Sequence, residues 1–304
     1  MVGIKKRLSG RAWRRILGDY VFLSPQLILY LVFTIIPFFV AMPILFTDRL
    51  TFFDNTVDYV GPANFEEIFI EASTTAKDFW PALDRTVRFT ILNYVMVYVF
   101  GLTLALLMYQ VGFRGGFFTI IYLPMMLSGL ATGFVATMLF SRSTGTVNLL
   151  LLELGWIQNP IDLKLPTGTT VLLPILVGWR YAGFNLAIFL SGLMNIPTET
   201  IEASIMDGTS YWQRLIYIYF PQMVPSFIIA TIFCLIGSFG IFDELIAMGA
   251  MYGNQQAVFL SILFFRYGFS QERLALGMTL AMEEGIPLVI LGVLLQRLQK
   301  RLQY

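Results

Sequence analysis

Residues 20–46 read YVFLSPQLILYLVFTIIPFFVAMPILF, with no charged side chain from one end to the other. A run of roughly 20 predominantly apolar residues is long enough to cross the hydrocarbon core of a bilayer as a helix. The stretch is too long for the apolar core of a secretory signal, about 7–15 residues, and no clear small-residue cleavage site follows it. It is therefore expected to remain as a span. Pro25, Pro37 and Pro43 interrupt the run, which a span tolerates where neighbouring helices or water satisfy the freed backbone groups.

The same texture recurs along the chain. Apolar runs at about 87–108, 117–140, 171–194, 223–248 and 274–295 complete a set of six. The expectation is an all-α, polytopic membrane protein with about six transmembrane helices, forming a single transmembrane domain over residues 1–304. Composition agrees: 57% of the residues are hydrophobic and 13% charged, against about 25% charged in soluble domains, and the mean hydropathy is +0.73. A large soluble core would show shorter, alternating apolar segments.

Several chemistries are excluded. Histidine is absent and Cys234 is the single cysteine, so Ser-His-Asp, Cys-His and HExxH catalysis, an intramolecular disulfide and the usual zinc sites have no residues to build them. No metal site is expected. There is no G-x-x-x-x-G-K-[ST] phosphate loop. With 20 basic and 19 acidic residues, no broad basic surface points to nucleic acid.

Charge placement orients the spans. Lys5, Lys6, Arg7, Arg11, Arg14 and Arg15 precede the first span; Arg114, Arg214, Arg297, Lys300 and Arg301 lie beyond spans two, four and six. The loop at 48–85 instead carries eight acids (Asp48, Asp54, Asp58, Glu66, Glu67, Glu71, Asp78 and Asp84) against three bases. By the positive-inside rule both termini face the cytoplasm and the 48–85 loop faces out. No internal repeat of the kind many secondary transporters carry is evident.

The loop at 195–222 is the most informative segment. Pro197 suits a helix start. Ile201, Ile205 and Met206 fall on one helical face, flanked by Glu199, Glu202 and Asp207. Gly208 can end the helix in a sharp turn, and Tyr211, Trp212, Leu215 and Ile216 open a second amphipathic stretch. Such a helix either anchors the loop in the membrane interface or presents an apolar ridge to the groove of a cytoplasmic partner.

This loop resembles the cytoplasmic loop of permease subunits of binding-protein-dependent ABC importers, which has the form E-A-A, three residues, G, nine residues, I-x-L-P. Here it reads Glu202-Ala203-Ser204, Gly208 and Ile218-Tyr219-Phe220-Pro221, with Ser204 and Phe220 as mild departures. The likeness to the maltose-type and glycerol-phosphate-type carbohydrate permeases extends to Tyr59-Val60-Gly61-Pro62-Ala63-Asn64-Phe65, Tyr122-Leu123-Pro124, Gly192-Leu193-Met194-Asn195-Ile196-Pro197 and Phe242-Asp243. It departs at Gly249-Ala250-Met251-Tyr252-Gly253, where the family usually has T-x-G-G-P.

The resemblance implies a type I ABC importer permease fold in a bacterial or archaeal cytoplasmic (inner) membrane. It implies a second homologous permease subunit, two cytoplasmic ABC ATPase subunits and an extracytoplasmic solute-binding protein as partners, with membrane lipid around them. The chain itself would be no enzyme and hold no cofactor; ATP and Mg would be bound by the ATPases. Glu202, Ala203, Ser204, Asp207 and Gly208 would couple ATPase closure to the pore.

Polar residues inside spans are costly and mark a cavity or a partner. Asn93 and Tyr94 in span two, Arg180 and Asn185 in span four, Asp243 in span five and the pair Glu283-Glu284 in span six are the candidate substrate pathway, with Tyr98 and Trp179 as further stacking surfaces for a sugar ring. The competing reading makes Arg180 the partner of one of the acids and the asparagines interhelical glue. Glu283 and Glu284 would suit a cationic substrate or a contact with the partner permease. A stand-alone secondary transporter or channel for a small polar solute is the alternative function, and a membrane-embedded enzyme is a third, for which the acids are too scattered.

Overall fold

The computed structural model describes residues 10–54, 57–70, 73–110, 114–166 and 168–302. Lys5, Lys6, Arg7 and Glu71, used above to orient the chain, lie outside the described residues. Among the described residues the regular elements are helices, as the apolar runs require, with a single isolated antiparallel bridge between Thr47 and Tyr59. Among the described residues, four helices are long and apolar enough to cross a membrane: Gly18–Phe46, Thr74–Gln110, Val224–Ala247 and Leu274–Arg301. Two bent pairs, Gly115–Met126 with Gly129–Leu139 and Gly168–Arg180 with Ala182–Met194, make six when each pair counts as one span. They are called spans one to six in chain order.

The second span begins well upstream of its apolar run. Ser73 caps it, its hydroxyl accepting the Ala76 N–H at 2.9 Å, which satisfies one of the free amides of the first turn. Asp78 and Asp84 therefore stand on the helix rather than in a loop. The third and fourth spans are broken at defined places. Pro124 lies in a tight turn at Leu123–Met126, Leu127 is extended, and Ser128 caps the next helix by accepting the Ala131 N–H at 3.1 Å; the two halves meet at 88°. The fourth span turns by 59° at Tyr181.

Two apolar clusters hold the bundle. One gathers Ile68, Phe79, Phe89, Leu245, Met248, Phe259, Leu263, Leu276 and Leu280 toward the 48–73 end. The other gathers Val97, Met108, Leu186, Phe189, Leu193, Leu215, Tyr219 and Met223 toward the 195–222 loop. Spans two and four meet closely at Gly101, where an added Cβ would stand 2.6 Å from the Asn185 Cβ. Glycine is required there because a backbone-to-backbone approach leaves no room for a side chain. Span one, in contrast, buries none of its most apolar stretch within the chain.

The loop after span one is pinned to the start of span six. Arg273 grips Glu67 with both guanidinium branches, at 2.7 and 2.6 Å, and the Thr75 hydroxyl donates to the same carboxylate at 2.7 Å. The Arg273 hydrogen bonds and then the Thr75 hydroxyl hold the Glu67 carboxyl below its ordinary 4.5, against its partial burial. A carboxyl with a depressed folded value contributes stability that is full above its ordinary value and is lost as the pH falls through the depressed one. The thermal midpoint of the wild type is thus expected to fall on acidification below 4.5, and Glu67→Gln to flatten that part of the profile. Parallel profiles for the two proteins would remove Glu67 from the acid response.

Candidate functional site

At the 195–222 end, the helix Thr198–Met206 stands out from the bundle. Ile201 packs against the second apolar cluster and Ser204 is buried. Ile205 and Met206 point away, 53% and 86% exposed, so the three apolar residues that share a face by periodicity part company: the helix turns only its Ile201–Ser204 edge to the core. Glu202, Ala203 and Asp207 are exposed beside them. The helix ends as its sequence requires. Gly208 adopts a left-handed φ of +73°, its N–H donates to the Ile205 carbonyl at 3.0 Å, and the Thr209 N–H donates to the Ser204 carbonyl at 3.1 Å. These two bonds form a Schellman turn.

The chain then restarts at once. Ser210 and Gln213 cap each other's backbone in a capping box. Arg214 donates to the Thr209 carbonyl at 2.6 Å, tying the second helix to the turn. Leu215 and Tyr219 are buried in the second cluster, and the chain continues into span five. The exposed knob is thus joined to the membrane bundle by a short, hydrogen-bonded elbow with little slack.

Between the two clusters lies a cavity of about 230 Å³. Asn93 and Asn185 face it together with Tyr181, Phe184, Phe233 and Cys234. Asn93 donates to the Ser238 hydroxyl at 2.9 Å, and its Oδ1 is buried with no partner. Asn185 donates to the Tyr181 carbonyl at 3.0 Å. Mostly apolar and aromatic walls with a few fixed amides suit a ligand that is polar at its edge and apolar on its face.

The other sequence candidates scatter. Tyr94 is 38% exposed and packs against Tyr98, the rings tilted by 42° with centroids 4.7 Å apart, while the Tyr98 hydroxyl donates to the Phe227 carbonyl at 3.2 Å. Trp179 is exposed. Arg180 is engaged in structure: it pairs with Glu244 at 2.8 Å and donates to the Leu127 carbonyl at 3.0 and 2.7 Å. That carbonyl is the one freed by the break in span three, so one guanidinium ties the breaks of spans three and four to span five. Asp243 is exposed and Glu283 half-buried. Glu284 is buried with Oε2 unpartnered, four residues beyond Leu280 on the helix face that meets the first cluster.

Sequence reasoning overlooked Tyr181, Phe184 and Phe233 as cavity walls, because aromatic residues in a span carry no local sign of which face they take. It also overlooked the Glu67–Arg273 clamp, whose partners lie 206 positions apart.

Residues 97–303 match the family model described as "Binding-protein-dependent transport system inner membrane component". The chain belongs to this family. It is 27% identical over 276 residues, covering 90% of this chain and 91% of the relative, to the "Probable starch degradation products transport system permease protein AmyD" of Thermoanaerobacterium thermosulfurigenes. It is 30% identical over 230 residues, covering 74% and 69%, to the arabinooligosaccharides transport system permease protein AraP of Halalkalibacterium halodurans. Against the trehalose/maltose transport system permease protein MalF of Thermococcus litoralis it is 26% identical over 250 residues, 82% of each chain. Its fold matches a chain in the crystal structure of a bacterial alginate ABC transporter in complex with alginate pentasaccharide-bound periplasmic protein, with a TM-score of 0.79 over 96% of this chain and 98% of that one. At 22% identity this last likeness concerns the fold alone. As a member of the family, the chain is a multi-pass membrane permease and a transport subunit rather than an enzyme.

Proposed function

We propose that this permease forms half of the pore of an ATP-driven carbohydrate importer in the cytoplasmic (inner) membrane, with both termini and the 195–222 loop in the cytoplasm. A second homologous permease supplies the other half, two ABC ATPase subunits bind ATP and Mg, and an extracytoplasmic binding protein delivers the solute. The observation that carries this reading is the exposed knob of Glu202, Ala203, Ile205, Met206 and Asp207 on its hydrogen-bonded elbow. An apolar ridge with acids beside it fits a groove in a cytoplasmic partner, and its exposure leaves it free for one.

Mechanically, a push on the knob passes through the Gly208 turn and the Arg214–Thr209 bond to Leu215 and Tyr219, which are packed among spans two, four and five. The motion thus reaches the cavity walls as a rigid displacement. Glu202 fixes the knob in the ATPase. Asn93 and Asn185 meet the sugar hydroxyls with fixed donors and acceptors, and the aromatic walls take the ring's apolar face. Carbohydrate is the substrate class because the starch-product, arabinooligosaccharide and trehalose/maltose relatives carry those names and because this cavity combines amides with aromatics. The broken spans supply bends about which the halves of the pore can rock.

The test is extraction of the tagged chain from its native membrane in mild detergent, with identification of what accompanies it, followed by uptake of a panel of labelled oligosaccharides into proteoliposomes with and without ATP. An ATPase and a second permease are expected to co-purify, with uptake that needs ATP and the binding protein. Recovery of the chain alone, moving solute without ATP, would sink the proposal in favour of a secondary transporter.

A further inference from the structure

At the end of the bundle opposite the 195–222 loop, a cavity of about 210 Å³ opens where residues 48–50 and 60–67 rest on the first turn of span six. Asp48, Arg49, Asn64, Glu67 and Arg273 line it. Its frame is fixed by backbone bonds: the Leu274 N–H donates to the Leu50 carbonyl and the Ala275 N–H to the Arg49 carbonyl, each at 3.0 Å.

Most polar groups here are already satisfied. Asn64 donates to the Leu45 and Thr47 carbonyls at 2.8 Å. Glu67 holds Arg273 with both oxygens. Nearby Asp54 accepts the Leu50 and Thr51 N–H groups at 2.7 and 2.8 Å, and Asp48 accepts the Asp58 N–H at 2.8 Å. Arg49 is the exception. Its Nε is buried with no acceptor, and its guanidinium takes part in none of the ion pairs among the described residues.

Arg49 as a whole is half-buried; its guanidinium keeps its proton, and its one buried N–H without an acceptor carries the desolvation penalty of that group. The planar fork is matched best by a carboxylate, which can accept two parallel hydrogen bonds. Asp54 lends Arg49 its charge but spends its oxygens on Leu50 and Thr51, and Asp48 accepts from Asp58, so the Arg49 Nε stays open to an acceptor from outside the chain. We propose that this cavity is a carboxylate-binding site in which Arg49 holds a carboxylate-bearing group entering from the solvent side. Asp48, exposed on the rim, opposes a second negative charge and keeps the affinity weak. The carboxylate belongs either to an acidic side chain of a protein seated on this face or to a small carboxylated solute; both present the same two oxygens.

The test uses the permease, with any subunits that accompany it on extraction, in lipid nanodiscs, heated with sodium glucuronate, with glucose as the uncharged control and ionic strength held constant. Glucuronate is expected to raise the unfolding midpoint and glucose to leave it in place. The half-effect concentration should rise about tenfold or more in Arg49→Gln and fall in Asp48→Asn. No glucuronate-specific rise in the wild type, or an unchanged response in Arg49→Gln, overturns the proposal and leaves water as the acceptor. If Arg49→Gln fails to assemble, Asp48→Asn decides, and an unchanged half-effect concentration overturns the site. A second arm measures docking of the extracytoplasmic binding protein under saturating glucuronate. Weakened docking identifies a protein side chain as the source, and unaffected docking identifies the solute. Only this arm rests on the importer reading, so failure of that reading leaves the first arm decisive.

Discussion

Gly208→Pro is expected to lower ATP-driven uptake at least about tenfold while leaving the spans inserted. Proline holds φ near −65° and carries no N–H, whereas Gly208 stands at +73° and its N–H donates to the Ile205 carbonyl. The substitution therefore breaks the Schellman turn and swings the Thr198–Met206 knob away from the elbow that joins it to Leu215 and Tyr219. Proline where φ is far from −65° and the N–H was bonded costs more than about 1 kcal/mol, and about 1.4 kcal/mol already amounts to tenfold. Gly208→Ala supplies the contrast. No atom lies within 4 Å of the added Cβ and the N–H is kept, so the only penalty is the left-handed backbone, about 1–2 kcal/mol, and uptake should fall clearly less than in Gly208→Pro. Proteoliposome uptake and recovery of the ATPase read both variants. Wild-type uptake in Gly208→Pro would separate the loop from coupling altogether.

The second large effect is expected at the buried pair. Removing one member of a buried ion pair leaves an uncompensated charge, at roughly 3–5 kcal/mol. The two single variants should differ. Glu244→Leu strands the Arg180 guanidinium, which stays protonated. Arg180→Met strands a carboxylate, which can discharge by taking up a proton, but it also orphans the Leu127 carbonyl. The expected order of destabilisation is Glu244→Leu, then Arg180→Met, with Arg180→Met/Glu244→Leu recovering part of the loss, since a well-packed apolar replacement of both partners is often tolerated. Thermal unfolding of the three proteins in one detergent measures this. A double variant as unstable as the sum of the singles would show that the two residues do not act on each other.

The loop knob and the cavity illustrate how much of the site was legible beforehand. Gly208 is readable because a helix that must stop and restart within three residues needs a left-handed residue, and that need is local. The positions of Glu202, Ala203 and Asp207 on an exposed helix follow from the same short-range rules. The orientation of Ile201 against Ile205 and Met206 does not, because which edge of a nine-residue helix meets the bundle depends on where span five leaves it. Arg180 could be seen as a costly charge in a span. Nothing local distinguishes Glu244 from Asp243, Glu283 or Glu284 as its partner.

Sequence alone thus determined that the chain is a helical membrane protein, roughly where its long apolar helices lie, and which loop carries an exposed helix closed by Gly208. Apolar run length, turn chemistry and a spaced motif are all expressed over a few to a few tens of residues. Tertiary structure decided that spans three and four bend, that Arg180 closes the break at Leu127, that Asn93 and Asn185 share one cavity, and that Arg49 is left without an acceptor. Each of these depends on groups that packing brings together across long sequence separations.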